Sequence, residues 1–464
     1  MNTYNWASMN LLGPLLDAAR GTSTISSLRE LQESEWWSSD RLIELQSRRL
    51  QSLMHHAYEH VPFYRRYMNE AGLVPGRIQS ASDLHLLPVL NRADVRRLSA
   101  ELRAESVPGE RTVVVRTGGS TGEPLKFLST PFDRFSRGFA RSLRGQGWAG
   151  YRLGDRSLVV VESRERSSSR LRMMASLVRQ VQRRRQWAAD DLSEEQLEAM
   201  VRVVESERIQ FLSGFPSALY LLALHVRDRG GLTHGLRGMV TGGEPLYENQ
   251  RKVLSETFGV VPLSKYSSNE ILDIACQCEV GDGYHIAVED VVVETLDQDG
   301  RALPSGEVGR LVVTNLHNLA MPFIRYELGD SGTVSEGACS CGRGLPLLSG
   351  LGGRQSDVLL TPDGRRIPGI VLPWSYLADS GVRQIQIVQE RLDLVRVRVV
   401  LEPAMDRDSA VLVTESIRSR YGAILGDAIK VVVELEAEIP AGPSGKRAVV
   451  VSALAQNERQ GWIE

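Results

Sequence analysis

A β-branched run that ends in a glycine-rich loop is the feature that most constrains the fold of this chain. Val113, Val114 and Val115 are followed, after one intervening residue, by Thr117–Gly122, which contains only glycine, serine and threonine. β-Branched residues favour a buried strand, and glycines let backbone N–H groups come close to an oxyanion. The stretch therefore predicts a buried strand that presents a phosphate-binding loop. A surface turn is the alternative that this composition also allows.

A second strand ends in the same way. The segment Gly238–Thr241 leads into Gly242, Gly243 and Glu244, and a helical pattern follows. Ligands of open α/β sheets bind at the carboxyl ends of strands, so both loops are predicted to line one pocket. The alternative is an ordinary strand-to-helix turn. Neither loop is a P-loop, because Glu123 stands where that signature requires lysine.

Helices and β-branched segments alternate through most of the chain, which is the pattern of an α/β fold. Near Arg354 the pattern changes to half-buried strands, a helix near 408–421 and a strand near 429–436, which predict a small α+β unit. A chain of 464 residues is too long for one ordinary core. We therefore predict a large N-terminal domain over 1–353 and a small C-terminal domain over 354–464.

The bulk composition excludes several partner classes. A chain with 42% hydrophobic residues and a net charge of -2 is typical of a globular protein with no overall attraction to nucleic acid or membrane. No apolar run reaches the length of a membrane span, and the N-terminus lacks the basic-then-apolar pattern of a signal peptide. These features predict a cytoplasmic protein that binds neither nucleic acid nor membrane.

The cysteines form two Cys-x-Cys pairs, Cys276 with Cys278 and Cys339 with Cys341. Such clustering in a cytoplasmic chain favours metal binding over disulfides. His285 follows Cys278 closely, and three thiolates with one imidazole make the tetrahedral ligand set of a structural zinc site. We therefore predict zinc at Cys278, His285, Cys339 and Cys341, with Cys276 as the alternative to His285. Free cysteines in two loops are the other interpretation.

Further motifs appear in a characteristic order. They are Lys265–Glu270 (KYSSNE), Pro322–Asp330 (PFIRYELGD), Gly353–Asp357 (GRQSD) and Pro443–Lys446 (PSGK). With the loops at 117–124 and 242–244, the chain resembles the phenylacetate–CoA ligase family of AMP-forming adenylating enzymes over roughly residues 50–452. The segment from Gln384 resembles the branch associated with capsular polysaccharide biosynthesis. The resemblance implies a large, multi-subdomain adenylate-forming N-terminal domain of mixed sheets and helices, and a small mobile α+β C-terminal domain.

The resemblance also implies an activity. An acid–CoA ligase of this family uses ATP to convert a small carboxylic acid, with aromatic acids favoured, into an acyl-adenylate, and then transfers the acyl group to coenzyme A. One alternative keeps the adenylation and transfers the acyl group to an amine, an alcohol or a carrier-protein thiol. Another is a non-catalytic nucleotide-binding protein. Homodimers are common in the family, while the sequence itself leaves the oligomeric state open.

The nucleotide-binding residues are assigned by this resemblance. They are Thr117, Gly118, Gly119, Ser120, Thr121, Gly122, Gly242, Gly243, Glu244, Tyr266, Ser267, Ser268, Asn269, Asp330 and Arg354. The first loop is expected to hold the β- and γ-phosphates and the second to line the adenine slot. Tyr266 is expected to stack on the base, Asp330 to accept hydrogen bonds from the ribose hydroxyls, and Arg354 to begin the interdomain hinge.

Two residues are implied to be catalytic. Glu270 supplies a carboxylate to Mg²⁺, a hard cation that prefers oxygen ligands. Lys446 lies on a glycine-flanked loop and is expected to reach the substrate carboxylate and the α-phosphate, where it stabilises developing charge. Two positions depart from the common pattern: Ser356 replaces the usual hinge residue, and Asn269 replaces the usual hydroxyl residue before the metal ligand.

The acyl pocket is the least constrained part of the site. The pocket is expected to use parts of residues 135–148, 211–220 and 240–273, and the candidates for its walls are Phe139, Trp148, Phe215 and Tyr220. Each of them is equally suited to an ordinary hydrophobic core. The sequence therefore predicts a substrate class and does not name the acid.

Overall fold

The computed structural model of this chain describes residues 3–116, 125–161, 176, 178–189, 192–281, 283–335, 337, 339–352, 358–362, 366–368, 381–426, 428–440, 448–452 and 454. The chain folds as two compact units. The first comprises Met1–Arg156, Ser167–Arg184 and Leu263–Leu351, and the second comprises Ser157–Arg166, Arg185–Pro262 and Gly352–Glu464. The predicted domain boundary at Arg354 lies outside the described residues and stays a prediction.

The helices of the described residues are α1 (Thr3–Ala7), α2 (Gly13–Arg20), α3 (Thr24–Ser34), α4 (Ser39–His60), α5 (Pro62–Glu70), α6 (Arg92–Arg97), α7 (Gly138–Trp148), α8 (Glu194–Ser206), α9 (Pro216–Asp228), α10 (Glu248–Phe258) and α11 (Arg407–Leu425). Short 3₁₀ turns occur at Pro75–Arg77, Ala81–Leu86 and Gly109–Arg111, and π-helical turns at Ser8–Leu12 and Phe132–Arg137.

The strands of the described residues are β1 (Val113–Arg116), β2 (Lys126–Ser129), β3 (Ser157–Val161), β4 (Arg184–Ala188), β5 (Phe211–Gly214), β6 (Gly238–Gly242), β7 (Leu263–Tyr266), β8 (Ala275–Gln277), β9 (Tyr284–Ile286), β10 (Val291–Leu296), β11 (Val308–Asn315), β12 (Tyr326–Ser335), β13 (Leu347–Gly352), β14 (Val358–Leu360), β15 (Arg366–Pro368), β16 (Val382–Arg391), β17 (Leu394–Leu401), β18 (Lys430–Leu435) and β19 (Val450–Ser452).

The first unit combines N-terminal helices with an antiparallel sheet. The sheet order within this unit is β10-β11-β12-β13-β9-β8-β7. Helix α4 buries Leu42, Leu50, Leu53 and Met54, which recur at helical spacing. It ends at His60 because proline begins α5, where the missing N–H costs nothing.

The strand at Val113 is confirmed, but it is only half buried. Strand β1 pairs with β2 in a two-stranded antiparallel sheet, with Val113 opposite Ser129. Val115 is 6% exposed whereas Val114 is 52% exposed, so the prediction of a buried strand is wrong for one of its faces. Side chains alternate across a strand, and β1 has a hydrophobic core on one side only. The loop Thr117–Gly122 lies outside the described residues.

The second unit confirms the α/β prediction. Strands β3, β5 and β6 are parallel, with Ser157 beside Phe211 and Phe211 beside Gly238. Helices α8, α9 and α10 pack their apolar residues against these strands. In the C-terminal part, the strand order is β18-β17-β16-β19, and α11 contributes Ile417 and Tyr421 to the core of this sheet. This arrangement is the α+β unit expected from the alternating pattern.

No helix of the described part of the chain is long and apolar enough to span a bilayer.

Candidate active site and cysteine–histidine cluster

Two segments of the first unit are joined by a pair of tyrosine-to-carboxylate hydrogen bonds. One segment carries Tyr266 and Glu270, and the other carries Tyr326 and Asp330. The Tyr266 hydroxyl donates to Asp330 Oδ2 at 2.7 Å, and the Tyr326 hydroxyl donates to Glu270 Oε1 at 3.2 Å. Each segment therefore supplies one tyrosine and one carboxylate, and the partners run in antiparallel order. The structure thus links Tyr266, Glu270 and Asp330, to which the family resemblance assigned roles in nucleotide and metal binding from separate motifs.

Glu270 is a buried carboxylate that lacks a cationic protein partner among the described residues. Its side chain is 8% exposed, and its hydrogen bond comes from a neutral phenol. Oε2 receives no hydrogen bond from any residue that the structure describes. Burying a carboxylate is costly unless a positive charge or further donors compensate, so this site favours an external cation. A hard divalent cation with oxygen ligands fits this arrangement.

Hydrogen bonds within the loop that carries Glu270, and one from Arg134, hold its backbone in place. The Ser268 hydroxyl accepts from the Ile271 N–H at 2.9 Å, and the Ser267 hydroxyl accepts from the Asp273 N–H at 2.9 Å. Arg134 donates to the carbonyl oxygen of Asn269 at 2.6 Å. These bonds fix the backbone on both sides of the metal-binding candidate. The direct roles predicted for Ser267, Ser268 and Asn269 in ATP binding remain predictions.

Asp273 anchors the end of this loop in a strained conformation. Its φ of 43° is in the left-handed region, which is uncommon for residues other than glycine and costs free energy. Lys265 pairs with its carboxylate at 2.9 Å. Burial acts to raise the pKa of Asp273, but the Lys265 ammonium and the surrounding hydrogen bonds lower it overall. The ionised pair therefore holds a strained backbone three residues from Glu270.

The second glycine loop lies in the second unit. Strand β6 ends at Gly242, and Gly243 has a φ of 84°, which glycine adopts without strain. Glu244 Oε2 accepts from the Ser217 N–H at 3.1 Å, in the first turn of α9. A carboxylate stabilises the exposed N–H groups and the positive end of a helix at this position. The adenine-lining role of these residues remains a prediction.

Several assigned residues lie outside the described part of the chain. They are Thr117, Gly118, Gly119, Ser120, Thr121, Gly122, Arg354 and Lys446, together with the hinge residue Ser356.

The predicted zinc ligands converge in the first unit. The Sγ atoms of Cys278 and Cys339 are 3.7 Å apart, and Cys341 Sγ lies 3.3 Å from His285 Nε2. All the ligand atoms of Cys278, His285, Cys339 and Cys341 lie within 4.8 Å of one another. In a tetrahedral site with zinc–sulfur bonds of about 2.3 Å, two sulfurs are separated by about 3.8 Å. The donor set and its spacing fit such an ion.

The surroundings of His285 suit a metal ligand. Nδ1 lies 3.4 Å from the carbonyl oxygen of Leu345, so a proton on Nδ1 leaves Nε2 as the ligand atom. Burial lowers the pKa of His285 to about 4, which keeps the imidazole neutral near pH 7. The Trp148 ring makes an edge contact with the imidazole at 5.5 Å between centroids. The orientation of the ring is therefore fixed from two sides.

Cys276 is not part of the cluster. It lies opposite His285 in the β8–β9 pairing, yet its sulfur packs against α7, where a Cβ on Gly145 would approach within 2.8 Å. Burial raises the pKa of Cys276 to about 12, so the group is a neutral thiol. The structure therefore favours His285 over Cys276 as the fourth ligand.

Comparison with known proteins identifies the family. The chain is 31% identical to the phenylacetate-coenzyme A ligase of Thermus thermophilus over 346 residues, which cover 71% of this chain and 74% of that protein. It is 27% identical to the phenylacetate-coenzyme A ligase of Escherichia coli, covering 89% of this chain and 95% of that protein. This chain belongs to the phenylacetate–coenzyme A ligase family.

The other comparisons agree with this assignment. Residues 359–453 match the family model described as the CapK C-terminal domain. Protein CapK of Staphylococcus aureus is 19% identical and covers 89% of this chain and 90% of that protein. A crystal structure of 2-hydroxyisobutyryl-CoA ligase in the postadenylation state with 2-HIB-AMP has a TM-score of 0.74 at 23% identity, covering 93% of this chain and 94% of that one. The predicted family and fold class are confirmed.

The four residues predicted to wall the acyl pocket differ from one another in their surroundings. Trp148 donates to the buried Glu35 carboxylate at 3.2 Å, next to the cysteine–histidine cluster. Phe139 is half buried on α7, with the Arg184 guanidinium 5.9 Å from its ring. Phe215 and Tyr220 are buried in the core of the second unit. Their role in substrate binding remains a prediction.

Arg343 connects the Cys341 loop of this family member to the N-terminal helices. Its Nε donates to Glu35 at 3.3 Å and its Nη1 donates to Glu279 at 3.1 Å. The guanidinium also lies 5.0 Å from the Trp36 ring and 4.8 Å from the Trp148 ring. A metal in the cluster would therefore stabilise more than one loop.

A buried ionic network that the sequence motifs did not indicate lies along α7 and the π-helical turn before it. Arg137 and Arg141 contact Asp290, and Arg144 contacts Glu289 at 2.6 Å. Burial acts to raise the pKa of Asp290, but the Arg137 guanidinium and its other cationic neighbours hold it well below its usual range. The arginine spacing of four and three residues is the sequence signal for one helical face.

Proposed function

We propose that this chain is an AMP-forming acid–CoA ligase. It converts a small carboxylic acid and ATP into an acyl-adenylate and pyrophosphate, and it then transfers the acyl group to coenzyme A. The observation that carries this proposal is the crossed pair of hydrogen bonds, Tyr266 to Asp330 and Tyr326 to Glu270, in a member of this family. Relatives named phenylacetate-coenzyme A ligases support an aromatic acid as the first substrate to test.

In the first half-reaction, a carboxylate oxygen of the acid attacks the α-phosphorus of ATP and the bond to pyrophosphate breaks. Asp330 accepts hydrogen bonds from the ribose hydroxyls, and the hydrogen bond from Tyr266 fixes the direction of its carboxylate. Glu270 would ligate Mg²⁺ through its carboxylate, whose Oε1 accepts a hydrogen bond from Tyr326. When bound, this ion neutralises phosphate charge and helps to align the reacting groups.

In the second half-reaction, the thiol of coenzyme A attacks the acyl carbonyl carbon and AMP leaves. Lys446 stabilises charge during adenylation and moves away with the C-terminal domain before the thiol attacks. The roles of Thr117–Gly122 at the β- and γ-phosphates, of Gly242–Glu244 at the adenine and of Arg354 at the hinge are part of the same proposal. A cytoplasmic location and a homodimeric assembly complete it.

Product analysis tests the proposed function. The chain is incubated with MgATP and one of several acids, including phenylacetate, benzoate and 2-hydroxyisobutyrate, with either coenzyme A or an amine. We expect acyl-CoA, AMP and pyrophosphate in equal amounts for at least one acid. Acid-dependent AMP with an amide product would favour the amide-forming alternative. Absence of acid-dependent AMP across a broad panel would support the non-catalytic alternative.

We also propose that Cys278, His285, Cys339 and Cys341 bind a structural zinc ion. The short contacts between their ligand atoms support this assignment. Four protein ligands leave no open coordination position, which is typical of a structural site. Zinc here would hold the loop after β12 against β8 and β9, so its removal should reduce stability more than it alters the chemistry of an intact site.

Metal analysis of matched cysteine variants tests this site. We expect about one zinc per wild-type chain and retention of that zinc in Cys276→Ser, because Cys276 packs outside the cluster. Cys339→Ser should lose most of the metal and melt at a lower temperature. Less than about a tenth of an equivalent in the wild type would contradict a zinc site. Equal metal loss in both variants would contradict this ligand set.

A further inference from the structure

We infer that Tyr326 is a positioning residue for the metal-binding carboxylate of Glu270. This inference rests on the proposed function, because Glu270 is the magnesium ligand there. Nothing in the sequence analysis gave Tyr326 a role. Its hydroxyl donates to Glu270 Oε1 at 3.2 Å, and both side chains are buried.

The hydrogen bond makes the two oxygens of the Glu270 carboxylate inequivalent. Oε1 is occupied by the phenol, while Oε2 receives no hydrogen bond from any described residue. A carboxylate held by one oxygen cannot rotate freely, so the other oxygen keeps a fixed direction. Hydrogen bonds of this kind orient metal ligands and are important for metal affinity. Tyr326 therefore acts on the metal through Glu270, without touching it.

Ring contacts and backbone hydrogen bonds of its neighbours hold Tyr326 in place. The Tyr326 ring lies 4.8 Å from the Phe323 ring, which in turn lies 5.1 Å from the Phe127 ring. The Leu90 N–H donates to the carbonyl oxygen of Arg325 at 2.9 Å, and the Glu327 N–H donates to the Leu90 carbonyl oxygen at 2.9 Å. The hydroxyl is therefore presented by a rigid support.

Backbone strain lies immediately before Tyr326. Arg325 has a φ of 50°, in the left-handed region, although it is 3% exposed and has a large side chain. Its guanidinium pairs with Glu294 at 3.0 Å and donates to the Leu87 carbonyl oxygen at 2.7 Å, and its N–H donates to Thr314 Oγ1 at 2.9 Å. These contacts compensate a strained turn, and such turns concentrate at functional sites. Here the turn directs Tyr326 toward Glu270.

Tyr326→Phe removes only the hydroxyl and leaves the ring packing in place. Binding of Mn²⁺, as a paramagnetic substitute for Mg²⁺, is measured by electron paramagnetic resonance in the presence of the non-cleavable analogue α,β-methylene-ATP. We expect the Mn²⁺ dissociation constant to rise about tenfold, as for other residues that orient metal ligands. Binding of the analogue without a divalent ion should change less than about twofold, because the hydroxyl acts through the metal ligand.

Tyr64→Phe is the matched control. Tyr64 is buried in the same core, but its hydroxyl lies 3.3 Å from the Pro322 carbonyl oxygen and 3.4 Å from the Ile324 nitrogen instead of contacting a carboxylate. We expect this variant to bind Mn²⁺ as the wild type does, even if its melting temperature falls. Equal loss of Mn²⁺ affinity in both variants, or an unchanged affinity in Tyr326→Phe, would overturn the inference.

A second variant tests the route through Glu270 independently. Glu270→Asp keeps the charge but shortens the side chain, which should break the contact with Tyr326. In this background Tyr326→Phe should weaken Mn²⁺ binding by less than about twofold, because the two changes remove one interaction. A full tenfold effect there would overturn the inference while acid-dependent AMP formation by the wild type still supports the proposed function. A wild type that forms no AMP and binds no Mn²⁺ would overturn both.

Discussion

Replacing Lys446 by alanine is expected to lower acid-dependent ATP–pyrophosphate exchange about a thousandfold, the upper end of the effect of removing one preorganised charge-stabilising group. The ammonium group is proposed to stabilise charge at the substrate carboxylate and the α-phosphate only during adenylation. Thioester formation from a supplied acyl-adenylate should therefore continue near the wild-type rate. Exchange is followed with labelled pyrophosphate, and the second half-reaction by mass spectrometry of the acyl-CoA.

Lys430→Ala is the control for this variant. Lys430 is an exposed lysine of the same C-terminal segment, at the start of β18. Its removal should leave both half-reactions unchanged. Full pyrophosphate exchange by Lys446→Ala would refute the assignment of this lysine. Equal loss of both half-reactions would instead indicate a general effect on folding or nucleotide binding.

Asp290→Ala is expected to destabilise the protein by about 3–5 kcal/mol, as for other buried ion pairs that lose one partner. Its carboxylate is fully buried and receives hydrogen bonds from Arg137 Nε at 3.1 Å and Arg141 Nη1 at 3.1 Å. His317 Nε2 lies 2.8 Å from the same carboxylate. Without Asp290, the arginines would remain buried with less compensating charge. The free energy of unfolding is measured by urea denaturation at pH 7.

The effect of Asp290 should depend on pH in a defined direction. Because the pKa of Asp290 is held well below 3.8 in the folded state, its contribution is fully present above about pH 4. This contribution is lost as the pH falls through the folded-state pKa of Asp290. The difference in the free energy of unfolding between Asp290→Ala and the wild type should therefore shrink in acid. Asp299→Ala, which removes an exposed partner of Arg301, should change stability by less than about 0.5 kcal/mol. An Asp290→Ala effect below about 1 kcal/mol at pH 7 would contradict this account.

The cysteine–histidine cluster shows what sequence spacing can and cannot predict. Two Cys-x-Cys pairs and one nearby histidine were enough to propose the ligand set. The choice between Cys276 and His285 depends on how β8 and β9 turn their side chains against α7. Gly145 provides the close approach that accommodates the Cys276 sulfur. Such packing depends on residues far apart in the chain, which spacing alone does not specify.

Only some residues of the site around Glu270 and Asp330 could be predicted from the sequence. The motifs identified Glu270 and Asp330, but Tyr326 has the character of an ordinary aromatic strand residue within its motif. Its contact with Glu270 joins residues 56 positions apart. The two side chains meet because the start of β12, at Tyr326, contacts the loop between β7 and β8 that carries Glu270. Local sequence patterns contain no direct signal for that hydrogen bond.

The ionic network along α7 was not predicted because arginine is usually exposed. Two signals were nevertheless present in the sequence. Arg137, Arg141 and Arg144 follow helical spacing, and Glu289–Asp290 lies between apolar residues just before β10. Together they indicate charges that are buried and paired. Either pattern alone is compatible with a solvated surface.

The most direct test of the central claim follows oxygen from the acid into AMP. The chain is given MgATP, coenzyme A and a turnover-competent acid labelled with ¹⁸O in both carboxyl oxygens, and the products are examined by mass spectrometry. Attack of the carboxylate on the α-phosphorus predicts one ¹⁸O in each AMP and one in the acyl-CoA. AMP that contains no ¹⁸O, formed together with acyl-CoA, would contradict an acyl-adenylate and with it the proposed chemistry of this site.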